Sequence, residues 1–398
     1  MNAIARERSR LVAAGAKLTD LTDSNPTHCG LGSPAALEAV ARAARRSGRY
    51  EPDPKGPLEA REALAERFGG GPDDYWLTAS TSEAYSWVFA VLADPGEAVA
   101  TPAPGYPLIE PLAALAGLTT LECRWHYLEP DGWCLDPVAL ARAAESGARA
   151  FVLVNPGNPT GAYVSPATAR TVVEACQAAG AALIADEVFG PFHLEAPPTS
   201  LAGRDDVVTF AFSGLSKLLC APQLKLAWIR LSGPARDLAP TRDALDQVAD
   251  TFLSPALPVA LALPELLAMS DAVVSATRAR LAANLAAVRQ AFGCDPYRLR
   301  RCEGGWSAIL DLPPDWGRDP AGSPPHGRAA EPAVRLMREH GLAAHPGWFY
   351  DIVDRPALVL SLLPEPLQFE QNCARLHAAL TQLGDGPLVP YRGTDLLS

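Results

Sequence analysis

The feature that most constrains this chain is a set of short, wholly apolar runs separated by helical patterns. Residues 150–155 read AFVLVN and residues 182–186 read ALIAD. A strand with one solvated face alternates apolar and polar residues, whereas a run that is apolar throughout is covered on both faces. Residues 75–78, 97–101, 207–212 and 226–231 are further short, mostly apolar runs, with Glu97 and Arg230 as their charged members. Between these runs, residues 82–92, 108–116 and 166–179 carry apolar side chains at helical steps. Strands alternating with helices predict an α/β fold on a mostly parallel sheet. At 398 residues the chain exceeds what one simple core holds, so about two domains are expected.

The pattern changes near Thr241. A long helix is predicted over 271–292, strands over 307–311 and 358–362, and helices around 330–340 and 369–383. Residues 313–332 are rich in proline and glycine and read as a surface loop. Toward the N-terminus, residues 2–16 read as a short helix, residues 21–34 as turns, and residues 34–46 and 57–67 as helices. The expected division is a large α/β domain over 45–270 and a smaller α+β domain from 1–44 plus 271–398.

Charge and composition exclude several classes of partner. The formal net charge is -11, and an acidic chain repels nucleic acid and anionic membrane surfaces unless its charge is segregated. Arg42, Arg45, Arg46 and Arg49 form the densest basic group, at the spacing of a solvated helix face. Eight cysteines are present without a C-x-x-C pair, and the seven histidines do not fall at ligand spacing beside them. No metal site is expected, and scattered thiols read as the reduced cysteines of a cytoplasmic protein. The segment MNAIARERSRLVAAGAKL has no apolar core of the signal-peptide kind. No run approaches the roughly 18 apolar residues of a membrane span.

Ligands of open α/β sheets gather at the carboxyl ends of the strands. One predicted strand end leads into Ser80-Thr81-Ser82 at the start of a helix. A second leads into Asn155-Pro156-Gly157-Asn158-Pro159-Thr160-Gly161. A third ends in Asp186-Glu187-Val188-Phe189, and a fourth in Ser213-Gly214-Leu215-Ser216-Lys217. Each motif alone is consistent with an ordinary turn or acidic pair. Together they offer an amine, a carboxylate, amides, and hydroxyls at a helix N-terminus that can hold an anion. Those are the requirements of pyridoxal 5′-phosphate: an amine to bond its carbonyl, an anion for its ring nitrogen, donors for its phenolic oxygen and a phosphate cradle.

From Leu21-Thr22-Asp23-Ser24-Asn25-Pro26 to Leu360-Ser361 the chain resembles the class I/II aminotransferases, fold type I pyridoxal phosphate-dependent enzymes of the aspartate aminotransferase superfamily. The resemblance implies a large domain with a mostly parallel seven-stranded sheet flanked by helices, plus a smaller α+β domain. It implies that Lys217 is the Schiff-base lysine and moves the substrate proton, that Asp186 pairs with the pyridinium nitrogen, and that Asn158 bonds the phenolic oxygen. Tyr106 would stack on the ring. Ser80, Thr81, Ser82 and Ser216 would cradle the phosphate, with Ser213, Phe189 and Lys225 in the same pocket. Tyr50 matches a tyrosine that reaches the partner subunit's phosphate, so a homodimer is implied. Asn25 and Trp348 are candidate substrate contacts.

Three positions depart from the family pattern. Lys225 stands where an arginine is usual, which keeps the charge and loses the bidentate fork. Phe189 stands where a tyrosine is usual, so one donor to the phenolic oxygen is missing. Val359 stands where an arginine usually holds the substrate carboxylate, and an unpaired buried carboxylate is costly. Either another cation such as Arg355 serves, or the substrate lacks that carboxylate, or the alignment slips by a few residues there. The expected reaction is ping-pong transfer of an amino group from an amino acid or amine to a keto acid, ketone or aldehyde. A lyase, decarboxylase or oxidase on the same cofactor remains the alternative, and a non-catalytic cofactor-binding protein a minor one.

Overall fold

The computed structural model describes residues 3–317 and 331–385. Its strands are β1 (Thr19–Asp20), β2 (Tyr75–Thr78), β3 (Ala98–Ala103), β4 (Thr119–Leu128), β5 (Gly132–Leu135), β6 (Ala150–Val154) and β7 (Ala182–Asp186). They continue with β8 (Thr209–Gly214), β9 (Ala227–Ser232), β10 (Arg298–Leu299), β11 (Ser307–Asp311), β12 (Leu342–Ala343), β13 (His345–Pro346) and β14 (Ala357–Ser361). The chain forms two units. The larger comprises Asn25–Arg278 with Glu303–Gly305. The smaller is built from the described residues before Asn25, from Ala279–Cys302, and from the described residues over 306–385.

The larger unit holds an eight-stranded sheet in the order β2-β9-β8-β7-β6-β3-β4-β5. The run β8-β7-β6-β3-β4 is parallel, and β9 and β5 are antiparallel to their neighbours. Alternate residues of a strand face opposite sides, and the packing divides accordingly. Ala150 and Val152 of β6 and Ala182 and Ile184 of β7 join the core around Trp76, Tyr85, Trp87 and Phe210. Phe151, Leu153, Leu183 and Ala185 join the opposite core with Val172, Val173 and Cys176 of the helix Pro166–Ala179. Both faces are covered, which is why these strands carry no polar residue before their ends.

Many of the chain's prolines mark where helices begin. Ser33, Asp136 and Ser165 each cap a helix whose first residue is proline. The cap oxygen accepts an amide of the first turn, and the proline stands where an N–H would have no intrahelical partner.

Four sequence expectations change. The sheet has eight strands and not seven, because β4 turns through Glu129, Pro130 and Asp131 into the edge strand β5. Both were missed: β4 is half exposed and carries Glu122, Arg124 and His126, so it lacks the apolar signature of the interior strands. Helices Ala235–Phe252 and Leu257–Ala268 contain Pro240 and Pro264, which hid them. Residues 25–44 and 271–278 pack in the larger unit rather than with the smaller domain. The boundary therefore falls near residue 25 and inside the helix Ser270–Phe292. Of the predicted loop over 313–332, the described residues include a 3-10 turn at Pro314–Gly317 and the start of the helix Glu331–His340; residues 318–330 lie outside the described structure.

The smaller unit carries the antiparallel sheet β10-β11-β14-β13 and the parallel pair β1-β12. Arg300, 1% exposed, donates to Asp311 at 2.7 Å and to both oxygens of Asp354. Glu7 accepts from Arg338 at 2.6 and 3.0 Å and from Arg10 at 2.6 and 3.1 Å, tying Ala3–Ala13 to Glu331–His340. These two arginines hold the Glu7 carboxyl down to about 2. No single described helix is long and apolar enough to cross a membrane.

Candidate active site

Strand β9 is antiparallel to both its neighbours, so β2 runs the same way as β8, β7, β6 and β3. The carboxyl ends of those five strands therefore open along one edge, and every strand-end motif of the larger unit emerges there.

Lys217 follows β8. A Cβ on Gly214 would lie 2.8 Å from Ala227 Cβ, so only glycine lets β8 and β9 stay closed at that point. The short helix Leu215–Leu218 starts immediately after it, anchored by the Leu215 N–H on Leu226 O at 2.9 Å. The Lys217 ammonium lies 5.5 Å from the centre of the Phe189 ring. Burial pulls the lysine pKa down against the opposing charge of Asp186. A buried amine shifted this way is neutral more readily and thus more nucleophilic.

Asp186 is the last residue of β7, and its parity puts it on the face of Ile184, beneath the helix Thr81–Leu92. Its Oδ1 accepts the Val188 N–H at 3.2 Å, and its Oδ2 accepts the Tyr85 hydroxyl at 3.2 Å. Burial pushes its carboxyl up to about 6. A carboxylate so desolvated favours a cationic partner. Glu187, of opposite parity, accepts from Leu201 N–H at 2.6 Å and Ser200 Oγ at 2.8 Å and so fixes a neighbouring loop.

The Asn158 loop follows β6. Asn155 braces it, accepting the Val164 N–H at 2.9 Å and donating to Thr199 O at 2.8 Å. Asn158 itself is half-buried. After β2, Ser80 caps the helix Thr81–Leu92. Its Oγ accepts the Glu83 N–H at 3.2 Å, while Glu83 Oε2 accepts the Ala79 N–H at 2.6 Å and Glu83 Oε1 accepts Ser254 Oγ at 3.0 Å. The predicted cradle residues Ser80, Thr81 and Ser82 are thus the N-terminus of a 12-residue helix, and Ser80 has a structural duty as its cap.

The remaining predicted residues are dispersed. Ser213 and Ser216 are half-buried beside Lys217 in sequence. Lys225 is exposed, in a left-handed conformation after the 3-10 turn Pro222–Leu224. Tyr106 and Tyr50 are 49% and 69% exposed. Asn25 Oδ1 accepts the Thr27 N–H and hydroxyl, at 3.0 and 2.7 Å, and so builds a turn. In the smaller unit, Val359 is buried in β14 between Ile309 and His345, and Arg355 is exposed ahead of that strand. Trp348 is half-buried in the 3-10 turn Gly347–Tyr350, its Nε1 without a hydrogen-bond partner. The sequence reading missed Tyr85. The signal was there: a tyrosine on the core face of an apolar helix must find a partner for its hydroxyl.

An amine, a buried carboxylate, a braced asparagine loop and a helix N-terminus fit pyridoxal phosphate. Lys217 would bond its carbonyl carbon and Asp186 would meet its ring nitrogen. Asn158 would meet its phenolic oxygen, and the first turn of Thr81–Leu92 would hold its phosphate.

The sequence model of the aminotransferase class I and II family matches residues 16–347. The chain belongs to that family. It is 29% identical over 262 residues to an alanine aminotransferase of Mycobacterium tuberculosis, covering 63% of this chain and 60% of that protein. It is 30% identical over 240 residues to the S-alkyl-thiohydroximate lyase SUR1 of Arabidopsis thaliana, covering 57% of this chain and 51% of that one. The chain thus spans between half and two thirds of the length of these curated relatives. The solved alanine aminotransferase of Pyrococcus furiosus superposes with a TM-score of 0.84 over 95% of this chain and 96% of that one, at 21% identity. That likeness shows the fold. The family match ends before Arg355 and Val359.

Proposed function

We propose that this chain is a pyridoxal phosphate-dependent aminotransferase, moving an amino group from an amino acid or amine to a keto acid, ketone or aldehyde. The observation that carries this reading is the pairing of Lys217, its amine made more neutral by burial, with the buried Asp186 at the ends of adjacent parallel strands. The bound cofactor would supply an electron sink for the carbanion left when the substrate loses its Cα proton. Lys217 would attach the cofactor and carry that proton. Asp186 would keep the ring nitrogen protonated. The amides and hydroxyls at the start of Thr81–Leu92 would hold the phosphate, where the helix dipole favours an anion. Lys225 and Ser216 would add to that hold.

The proposal extends to a homodimer in cytoplasm. The exposure of Tyr50 and Tyr106 supports a partner subunit covering them, and the cysteines fit a reducing compartment. Sedimentation of the cofactor-loaded protein tests the dimer.

The test of the reaction is a donor screen. The cofactor-loaded protein is mixed with single amino acids and amines, and the visible cofactor band and the carbonyl product are followed. Loss of the band with stoichiometric keto or aldehyde product supports transamination; a full panel without product sinks it. Likeness to a lyase favours one second reading, elimination on the same cofactor. Release of thiol or ammonia without a keto acceptor would select it. Donors without a carboxylate reacting as well as amino acids would match the apolar Val359.

A further inference from the structure

Tyr85 is the strongest feature that the proposed reaction leaves unexplained. It is fully buried on the helix Thr81–Leu92. Its ring stands edge-on to Phe212 at 5.0 Å and against Phe89 at 5.8 Å, so it has little room to swing. Its hydroxyl reaches Asp186 Oδ2 at 3.2 Å while the Val188 N–H holds Oδ1, also at 3.2 Å. Both carboxylate oxygens are therefore fixed, one by backbone and one by a phenol locked in the core. The charged groups acting near Asp186 are Lys217, which favours its ionised form, and the neighbouring Glu187 carboxylate, which opposes it.

We propose that Tyr85 is a positioning residue that holds Asp186 ionised and aimed so that it can meet the cofactor's ring nitrogen. The inference rests on the cofactor reading above. A phenol suits this role because it donates to the anion without bringing a countercharge that would compete with the pyridinium. The Phe212 and Phe89 contacts fix where the phenol oxygen sits, so the donor stays beside the carboxylate.

Tyr85→Phe keeps the ring and its packing and removes only the donor. Losing a hydrogen bond to a charged group should weaken pyridoxal phosphate binding roughly tenfold at neutral pH. The pH below which the cofactor is lost should rise by about one unit, because Asp186 then protonates more easily. Asp186→Asn removes the group through which Tyr85 acts, so adding Tyr85→Phe to that variant should change cofactor affinity no further. The measurements are the cofactor dissociation constant between pH 5 and pH 9 for the four proteins, and the melting temperature of each without cofactor. An unchanged dissociation constant and pH profile in Tyr85→Phe would overturn the proposal, as would an equal loss in the Asp186→Asn background, which marks a packing effect alone. Phe212→Leu, which leaves the phenol and loosens its ring, should give a smaller loss in the same direction, and supplies the test if Tyr85→Phe does not fold. A wild-type chain that binds no pyridoxal phosphate would overturn the cofactor reading itself, and this proposal with it.

Discussion

The Lys217 ammonium sits 5.5 Å from the centre of the Phe189 ring. The amine thus faces an aromatic surface that offers no hydrogen bond of its own. Phe189→Tyr would place a hydroxyl there, able to donate to the cofactor's phenolic oxygen and stabilise its negative form. The pH midpoint of the visible band of the bound cofactor is expected to fall, and a titration of absorbance from pH 5 to pH 10 reads it. A midpoint that stays in place would mean that the hydroxyl points elsewhere.

Replacing Lys217 is expected to stop turnover with little harm to the fold. With the roles proposed for Lys217, Lys217→Ala would remove both the cofactor attachment and the proton carrier, and a loss on the order of 10²–10⁴-fold or more would follow from the missing proton transfer alone. Since the amine is disfavoured by burial, the cofactor-free variant should melt no lower than the wild type. Steady-state rates and differential scanning calorimetry check the two halves.

The cofactor-free protein should lose stability as pH rises through the range where Asp186 ionises. Its carboxyl moves from 3.8 in the unfolded chain up to about 6 in the fold. The native state therefore binds the proton more tightly, and the associated stability is fully present below pH 4 and lost as pH climbs through 6. At about 1.4 kcal/mol per unit this single group contributes about 3 kcal/mol. Asp186→Asn should flatten that part of the curve; an unchanged slope in urea melts between pH 4 and pH 7 would assign it to other groups.

Ser80→Ala should weaken the helix start and the anion site together. Loss of the N-cap oxygen costs about 1 kcal/mol, and the freed Glu83 amide loses its partner. Melting of the cofactor-free variant reports the cap, and the affinity for inorganic phosphate reports the site. A stability loss without any change in phosphate affinity would leave Ser80 a cap only.

The Glu7 network should fail in acid. Arg338 and Arg10 lower its carboxyl from 4.5 to about 2, so the stabilisation is present above pH 4.5 and fades as pH falls toward 2. Arg338→Met should speed hydrogen exchange in Ala3–Ala13 at neutral pH and remove most of this acid dependence.

Asp186 and Lys217 stood out in the sequence only through the conjunction of four strand-end motifs, since each motif alone is consistent with an ordinary turn or acidic pair. The helices after β9 were not legible because Pro240 and Pro264 look like breaks, although each sits within a continuous helix. β4 was hidden by its exposure. The Tyr85–Asp186 bond joins residues 101 positions apart, and neither side chain announces the other; it follows only once the helix Thr81–Leu92 is known to lie over the Asp186 face of β7. Val359 was legible as an oddity, and its place between Ile309 and His345 puts no arginine beside it in the sheet.

The two-sided packing of β7 has a further consequence, for tolerance to insertion and deletion. Asp186 turns toward Tyr85 and Glu187 toward Ser200 only because they differ by one in parity along the pleat. Deleting a single residue between Ala182 and Ala185 would keep the apolar character and the acidic pair, yet would exchange the carboxylates: the loop anchor would arrive under the tyrosine, and the tyrosine's present partner would turn to the loop. A lineage can therefore vary the side chains of this strand within the limits of volume, but its residue count is locked by the two carboxylate contacts at its end.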